Sequence, residues 1–327
     1  MENSELRQDI VTGDWVVVAT ARAKRPHDFV SASPKSFNET SPCPFDDIRE
    51  NVIQKFPNDA DPFVTVIKNK YPAFAEGQCK VPRAEGIYVA MDGAGNHEVV
   101  VTKDHIRPIP DFSDAEVGVL MESYRARFQA LKDGACTDYV LIFHNHGPES
   151  GATIAHPHSQ IMGLPVIPPD VERSLKGSRG YLEKNGRCVY CDVIAHELSH
   201  KSRVVFENEH AIAICPFASK MAFEMRIFPK RHTDFLATTT EEMLGVGQAL
   251  RDALRRIRTG LKDPSYNFFI HAAPTISEGS YEWYHWHIEI LPKTAVWAGF
   301  EIGTGMEILT IAPETAAEFL QSVSQNS

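Results

Sequence analysis

Alternating apolar and polar positions mark short strands along most of this chain. They are interrupted by two stretches in which apolar residues return every three or four positions. The first alternating run reaches from Leu6 to Arg25 around Trp15-Val16-Val17-Val18, behind a Thr12-Gly13-Asp14 turn, and predicts a hairpin. Further strands are predicted at 63–68, 98–102 and 138–143, and again at 203–206, 211–214, 225–228 and 266–270. Val117, Leu120, Tyr124, Phe128 and Leu131 share one face of a predicted helix over 113–133, which Ser113 can cap with Glu116 three residues on. Met243, Leu244, Val246, Leu250, Leu254 and Ile257 do the same for a second helix, 240–258. A proline-rich stretch from Pro165 to Pro169, followed by polar residues through Asn185, reads as a linker between a domain at 1–168 and one at 169–327.

The order of features is the same in both halves: a cysteine motif, a strand ending in Lys-x-His, a capped helix, a strand beginning with tyrosine, a loop and a His-x-His. Three pairs of matching residues lie 127 positions apart (His105 to His232, Tyr139 to Tyr266, His144 to His271), and His156 to His285 spans 129. So many unlike features in one register imply duplication. The expected fold is α+β: two copies, each an antiparallel sheet with a helix packed on it and a His-x-His strand near its middle.

Composition narrows the class. The chain has 327 residues, 43% hydrophobic and 23% charged, which is enough for two globular cores. Its 33 basic and 43 acidic residues leave a net charge of -10, which argues against a broad nucleic-acid or anionic-membrane surface and for small partners. No apolar run approaches the roughly 18 residues of a membrane helix, and the start MENSELRQDI lacks a signal-peptide core, so a cytoplasmic protein is expected. The six cysteines are too sparse for a disulfide scaffold. They suit a reducing compartment in which cysteine pairs bind metal.

The candidate chemistry gathers at His156-Pro157-His158-Ser159-Gln160. Proline stiffens this segment, and rings at i and i+2 of extended chain point the same way. A solvated polar turn is the bland alternative, but four histidines in one loop are hard to explain by packing. The repeat yields two four-ligand sets. Cys188, Cys191, His232 and His285 form a closed zinc set, with the CxxC spaced to chelate one ion from a tight knuckle. A redox CxxC competes, but no thioredoxin-like unit follows it. Cys43, Asp46, His105 and His156 form the matching set with one carboxylate; alternatively, Cys43 and Asp46 are a plain turn and His156 bonds a backbone carbonyl. One to two zinc ions per chain are expected. The basic run Arg22-Ala23-Lys24-Arg25 is either a solvated face or the rim of a diphosphate site.

Several of these motifs occur together: Arg7-Gln8-Asp9 with Gly13-Asp14-Trp15-Val16, the Arg22 to Pro26 run, Asn145 and Gly147, His156 to Gln160, and the second His-x-His after His271-Ala272-Ala273-Pro274. Over nearly the whole chain this pattern resembles the galactose-1-phosphate uridylyltransferase family of the histidine triad superfamily. The resemblance implies ping-pong nucleotidyl transfer, with His158 as nucleophile, Gln160 donating to the phosphoryl oxygen, and His156 locking the segment through its metal. Arg22, Asn69, Asn145, Gly147 and Thr153 match nucleotide-contacting positions, and Arg25 and Phe300 are further substrate-facing candidates. Glu289 stands where the first copy has Gln160, so His287 is not expected to be a nucleophile. The implied partners are a nucleotide sugar and a sugar 1-phosphate, within a homodimer whose second half completes the neighbour's pocket. Two features lean toward the plant-type branch of ADP-glucose phosphorylases or adenylyltransferases: the segment from Ala298 to Met306 lacks the hexose-binding lysine, tyrosine and acid of the galactose enzymes, and Ser159 replaces their usual glycine. The expected reaction is of the UDP-glucose:hexose-1-phosphate type. An ADP-sugar phosphorylase or a non-catalytic, zinc-held nucleotide-binding module are the alternatives.

Overall fold

The structure is a computed structural model and describes residues 4–20, 29, 42–134, 136–276 and 281–323. The first half contains β1 (Glu5–Gln8), β2 (Trp15–Val18), β3 (Val52–Phe56), β4 (Val64–Lys68), β5 (Arg83–Glu85), β6 (Tyr88–Ala90) and β7 (Asn96–Thr102). Helix α1 (Asp114–Lys132), β8 (Tyr139–His146) and β9 (His158–Leu164) complete it. The second half runs through α2 (Pro169–Asn185), α3 (Val189–His200), β10 (Val204–Glu207), β11 (Ala211–Ile214), β12 (Met225–Pro229) and α4 (Thr240–Leu261). It ends with β13 (Tyr266–His271), β14 (His287–Pro292), α5 (Gly299–Thr304), β15 (Ile308–Leu309) and α6 (Pro313–Val323).

Ten strands form one antiparallel sheet in the order β10-β11-β12-β14-β13-β8-β9-β7-β4-β3. That order is a palindrome in which β3, β4, β7, β9 and β8 answer to β10, β11, β12, β14 and β13. At the centre Ile142 lies opposite Ile270 and Phe143 opposite Phe269. The 127-residue offset maps one pair onto the other, so a local twofold passes between them. The α+β architecture is as expected. The sheet differs from expectation in being single: the two copies fuse edge to edge, which removes an exposed strand edge from each.

Helices α1 and α4 pack side by side on one face of this sheet over its main hydrophobic core. Their close approach depends on Gly247, where a Cβ would come within 2.5 Å of Val117 Cγ1. Both helices begin with a capping box: Ser113 Oγ accepts from Glu116 N at 3.3 Å, and Thr239 Oγ1 accepts from Glu242 N at 3.2 Å. Each box acid also takes an arginine, Glu116 from Arg107 at 2.8 Å and Glu242 from Arg231 at 2.7 Å. These arginine hydrogen bonds hold both carboxyls down to about 2. Because both values are depressed, the stabilisation is complete above the ordinary 4.5 and is lost as pH falls through about 2. A Glu116→Gln, Glu242→Gln double variant should therefore unfold at lower urea than wild type at pH 7, with the gap closing between pH 4.5 and 2. A gap that stays constant over that range would exclude the two pairs as its source.

Two expectations need correction, and a third falls partly outside the described residues. The stretch from 169 to 200 is not a linker and knuckle but two helices, α2 and α3, which cover the other face of the second half together with the N-terminal turn. Cys188 is the N-cap of α3, and Cys191 lies in its first turn. Cys79 and Cys136 are joined by a disulfide with Cα atoms 5.3 Å apart, whereas composition assigned cysteine pairs to metal alone. The hairpin forms between β1 and β2, but residues 21–28 lie outside the described residues, and with them Arg22 and Arg25. Among the described residues, no helix is long and apolar enough to cross a membrane.

Candidate active site and metal centres

Strand β9 lies between β7 and β8, and its side chains alternate between the two faces of the sheet. Ser159 and Ile161 turn toward the helices; Ser159 Oγ meets Tyr124 Oη at 2.6 Å and His144 Nδ1 at 3.0 Å. His158 and Gln160 turn the other way, into a cavity of about 710 Å3 that they share with Phe45, Asn69, His97 and Thr153. Asn69 and Thr153 are thus brought to the histidine motif. Asn145, Gly147 and Phe300 are not part of that wall. Asn145 Oδ1 accepts from Asn267 Nδ2 at 2.7 Å, and Gly147 is held at φ +79° against Ser265. Phe300 sits on α5, 43% exposed.

Backbone carbonyls fix the ring tautomers, because a carbonyl can only accept. His158 Nδ1 donates to His156 O at 2.9 Å, which leaves the Nε2 lone pair toward the cavity. Burial holds this imidazole below its ordinary value, which favours the neutral form. His156 Nε2 donates to Thr102 O at 2.6 Å, and His285 Nε2 donates to Pro229 O at 2.9 Å. Both therefore present a bare Nδ1 to the cysteine beside them, Cys43 Sγ at 3.7 Å and Cys191 Sγ at 3.7 Å.

One important neighbour escaped the sequence reading. His97 Nδ1 accepts from Ala73 N at 3.1 Å, so the ring proton sits on Nε2 and is donated to Gln160 Oε1 at 2.8 Å. Asn69 Nδ2 also lies 3.0 Å from that nitrogen, but a donor facing a donor leaves Gln160 as the partner. This turns the Gln160 amide NH2 into the cavity. His97 precedes the predicted strand 98–102 by one residue; extending that strand's alternation would have placed it on the same face as Val99.

The ligand atoms of Cys188, Cys191, His232 and His285 lie within 4.8 Å of one another, as do those of Cys43, Asp46, His105 and His156. Zinc bonds of about 2.0–2.3 Å in a tetrahedron separate neighbouring ligand atoms by roughly 3.3–3.8 Å. Cys191 Sγ to His232 Nδ1 is 3.2 Å, Cys191 Sγ to His285 Nδ1 is 3.7 Å and Cys43 Sγ to His156 Nδ1 is 3.7 Å, so the second set fits such an ion and the first fits it on its cysteine side. In the first set Asp46 Oδ1 sits 2.6 Å from His105 Nδ1 and 3.3 Å from His156 Nδ1. The Cys188 thiol is pushed down, chiefly by its hydrogen bond with Cys191 and then by His232 and His285.

The second copy keeps the His-x-His geometry but is closed. His287 Nδ1 donates to His285 O at 3.2 Å, yet the ring is only 4% exposed and is boxed by Tyr190 at 5.0 Å and Phe228 at 5.2 Å. His271, His287 and Glu289 also cluster, but Arg226 is 3.8 Å from Glu289 and bonds Asp9 at 3.0 Å and Glu224 at 3.2 Å. Burial alone would raise the Glu289 carboxyl; Lys220, His271 and Arg226 hold it well below its usual range. That pocket already has its cations.

A palindromic antiparallel sheet with a His-x-His segment leading into a strand in each half defines a duplicated α+β fold. Residues 1–168 match the family model of the galactose-1-phosphate uridyl transferase N-terminal domain and residues 174–326 that of its C-terminal domain, and the chain belongs to this family of nucleotidyl transferases. It is 35% identical over 336 residues to an ADP-glucose phosphorylase of Arabidopsis thaliana, covering 99% of this chain and 94% of that protein. It is 29% identical over 332 residues to a galactose-1-phosphate uridylyltransferase of Thermotoga maritima, covering 97% and 98%. The crystal structure of an Arabidopsis thaliana ADP-glucose phosphorylase with bound ADP-glucose superposes with a TM-score of 0.82 at 31% identity, over 98% of this chain and 99% of that one.

Proposed function

We propose that this chain transfers a nucleoside monophosphate from a nucleotide sugar to a phosphate-bearing acceptor through His158. The observation that carries the reading is the His158 ring, held through Nδ1 by the His156 carbonyl at 2.9 Å with Nε2 facing the cavity. Nε2 attacks the α-phosphorus, a P–N bond forms, and the P–O bond to the departing sugar phosphate breaks. The phosphate oxygen of the acceptor then attacks the same phosphorus, the P–N bond breaks, and the ring is regenerated. Gln160, turned by His97, donates its amide N–H to the non-bridging oxygen where charge builds. Lys68 and Lys70 on the cavity wall supply positive charge for the diphosphate.

For the finer reaction, ADP-glucose as donor with inorganic phosphate as acceptor is favoured, supported by the 35% identity to an ADP-glucose phosphorylase. Exchange between a UDP-hexose and a hexose 1-phosphate is the second reading, supported by the uridylyltransferase at 29%. The deciding experiment loads the protein with labelled UDP-glucose or ADP-glucose and follows discharge by phosphate, glucose 1-phosphate or galactose 1-phosphate. Failure of every donor to leave label on the chain would overturn the proposal.

Zinc is the metal the two ligand sets suit, one ion in each, and its role there is to fix the segments that carry its ligands. The proposed domains, 1–168 and 169–327, then act unequally, the first catalytic and the second supporting. A homodimer is part of the reading: Val296 is 93% and Ile302 73% exposed near Trp297, an apolar stretch suited to a second copy. A cytoplasmic location suits the free thiols of Cys43, Cys188 and Cys191, although the Cys79–Cys136 disulfide weighs against it.

A further inference from the structure

The repeat places a second cavity where the counterpart of the catalytic pocket belongs. In the first half Ile67 of β4, Val99 of β7 and Gln160 of β9 lie side by side on the pocket floor. The matching row in the second half is Ile214 of β11, Arg226 of β12 and Glu289 of β14. Ile214 and Arg226 border a cavity of about 630 Å3 whose other walls include Ile10 of the N-terminal turn and Val193 and Glu197 of α3. We propose that this cavity is a second small-molecule site, taking an uncharged planar heterocycle of nucleoside size that carries an amino group. It stands whether or not His158 carries a nucleotide.

Three observations set that chemistry. The volume falls among cavities that enclose small ligands, about 300–1,000 Å3, and the rings of Tyr181, Tyr190, Phe217 and Phe228 suit a flat apolar face. Glu197 is 3% exposed; its Oε1 takes both bonds from Arg203, at 3.0 and 2.7 Å, whereas Oε2 is buried with no partner. A buried acceptor with a free lone pair calls for a donor, which an exocyclic amine supplies. Finally, each guanidinium on the wall is already matched: Arg203 also holds Glu314 at 2.8 Å, Arg226 holds Asp9 at 3.0 Å and Glu224 at 3.2 Å, and Arg187 lies 3.3 Å from Asp192. Among the described residues no guanidinium on the wall is left over for a phosphate, so the ligand is a nucleoside-like molecule and not a nucleotide. The two pockets of the duplicated fold would thus have parted by charge.

The test is equilibrium dialysis with labelled adenosine on a Thr153→Trp variant, whose new ring blocks the His158 cavity. Adenosine should bind at one site per chain. Val193→Trp or Ile10→Trp, added from opposite walls, should each weaken it by about tenfold or more while leaving the melting temperature in place. Purine riboside, which lacks the amino group, and AMP, which adds a phosphate, should each bind about tenfold more weakly than adenosine. No saturable binding to the Thr153→Trp protein, binding untouched by both wall variants, or equal binding of purine riboside or AMP would overturn the proposal. The ligand comparison needs no wall variant, so a failure of those two to fold leaves it decisive. Absence of adenosine binding to the Thr153→Trp protein, with histidine labelling of the wild-type chain intact, would sink this site and spare the nucleotidyl transfer reaction.

Discussion

His158→Ala should leave the protein folded and unable to retain label from any nucleotide sugar, with turnover down by on the order of 10⁴-fold or more. The size follows from removing the group that, among the described residues, the proposed covalent intermediate would form on. Methyl replaces a ring whose Nδ1 is already spoken for by the His156 carbonyl at 2.9 Å, so what is lost is the free Nε2. His287 cannot take over, because Tyr190 and Phe228 close around it and its cavity is rich in carboxylates. The check is acid-labile, alkali-stable label on the wild-type chain at one equivalent, compared with the variant. A second substitution reads the environment: Gln160→Glu puts into the first copy what the second carries at Glu289. A carboxylate against the phosphoryl oxygens, in place of a donor, should cost about 10²–10³-fold in turnover. Label persisting on His158→Ala would move the nucleophile elsewhere and undo the assignment.

Cys188→Ser should lower the melting temperature by about 10 °C, and a strong chelator should do the same to wild type. The second metal set ties the first turn of α3 to His232, between β12 and α4, and to His285, at the entry to β14. These three segments meet at His232 Nδ1 and His285 Nδ1, 3.2 and 3.7 Å from Cys191 Sγ. Without the ion, the two sulfurs and the two Nδ1 atoms are left packed together with little but one another to hold the three segments. Cys43→Ser should shift the midpoint less, because Asp46 is half exposed and its segment packs at the surface. Elemental analysis should give one to two zinc per chain in wild type. A metal-free preparation melting at the wild-type temperature would refute the structural role.

The strands of the large sheet other than β3, and helices α1 and α4, were legible because their signals are local: alternation, a 3.6-residue stripe, and Ser113 or Thr239 with an acid three residues on. The gathering of the two four-residue groups was legible because the duplication supplied two aligned copies. α2 was not. Its sequence carries Gly177 and Gly180 among charged residues, and each glycine in a helix costs about 1 kcal/mol against alanine. The structure shows what Gly177 is for: a Cβ there would lie 1.7 Å from Val11 O, so the helix is seated on the N-terminal turn by the side chain it lacks. The orientation of Gln160 was equally hidden, since it depends on Ala73 N meeting His97 Nδ1 across 24 residues of intervening chain. Nor could periodicity show that the two copies share a sheet. Sequence repeats report likeness between halves, whereas the β8–β13 pairing is a contact between them.

That seam sets a timetable for synthesis. β8 ends at His146 and its partner β13 begins at Tyr266. A ribosome adding about 5–20 residues per second needs roughly 6–24 s to cover the distance. From Gln160 onward in that interval the nascent first half holds the described residues of the His158 pocket but has the row Tyr139 to His146 open along one side. The half that carries His158 is therefore the part of the molecule that must wait, and the half in which His287 is closed in is what arrives to cover its edge.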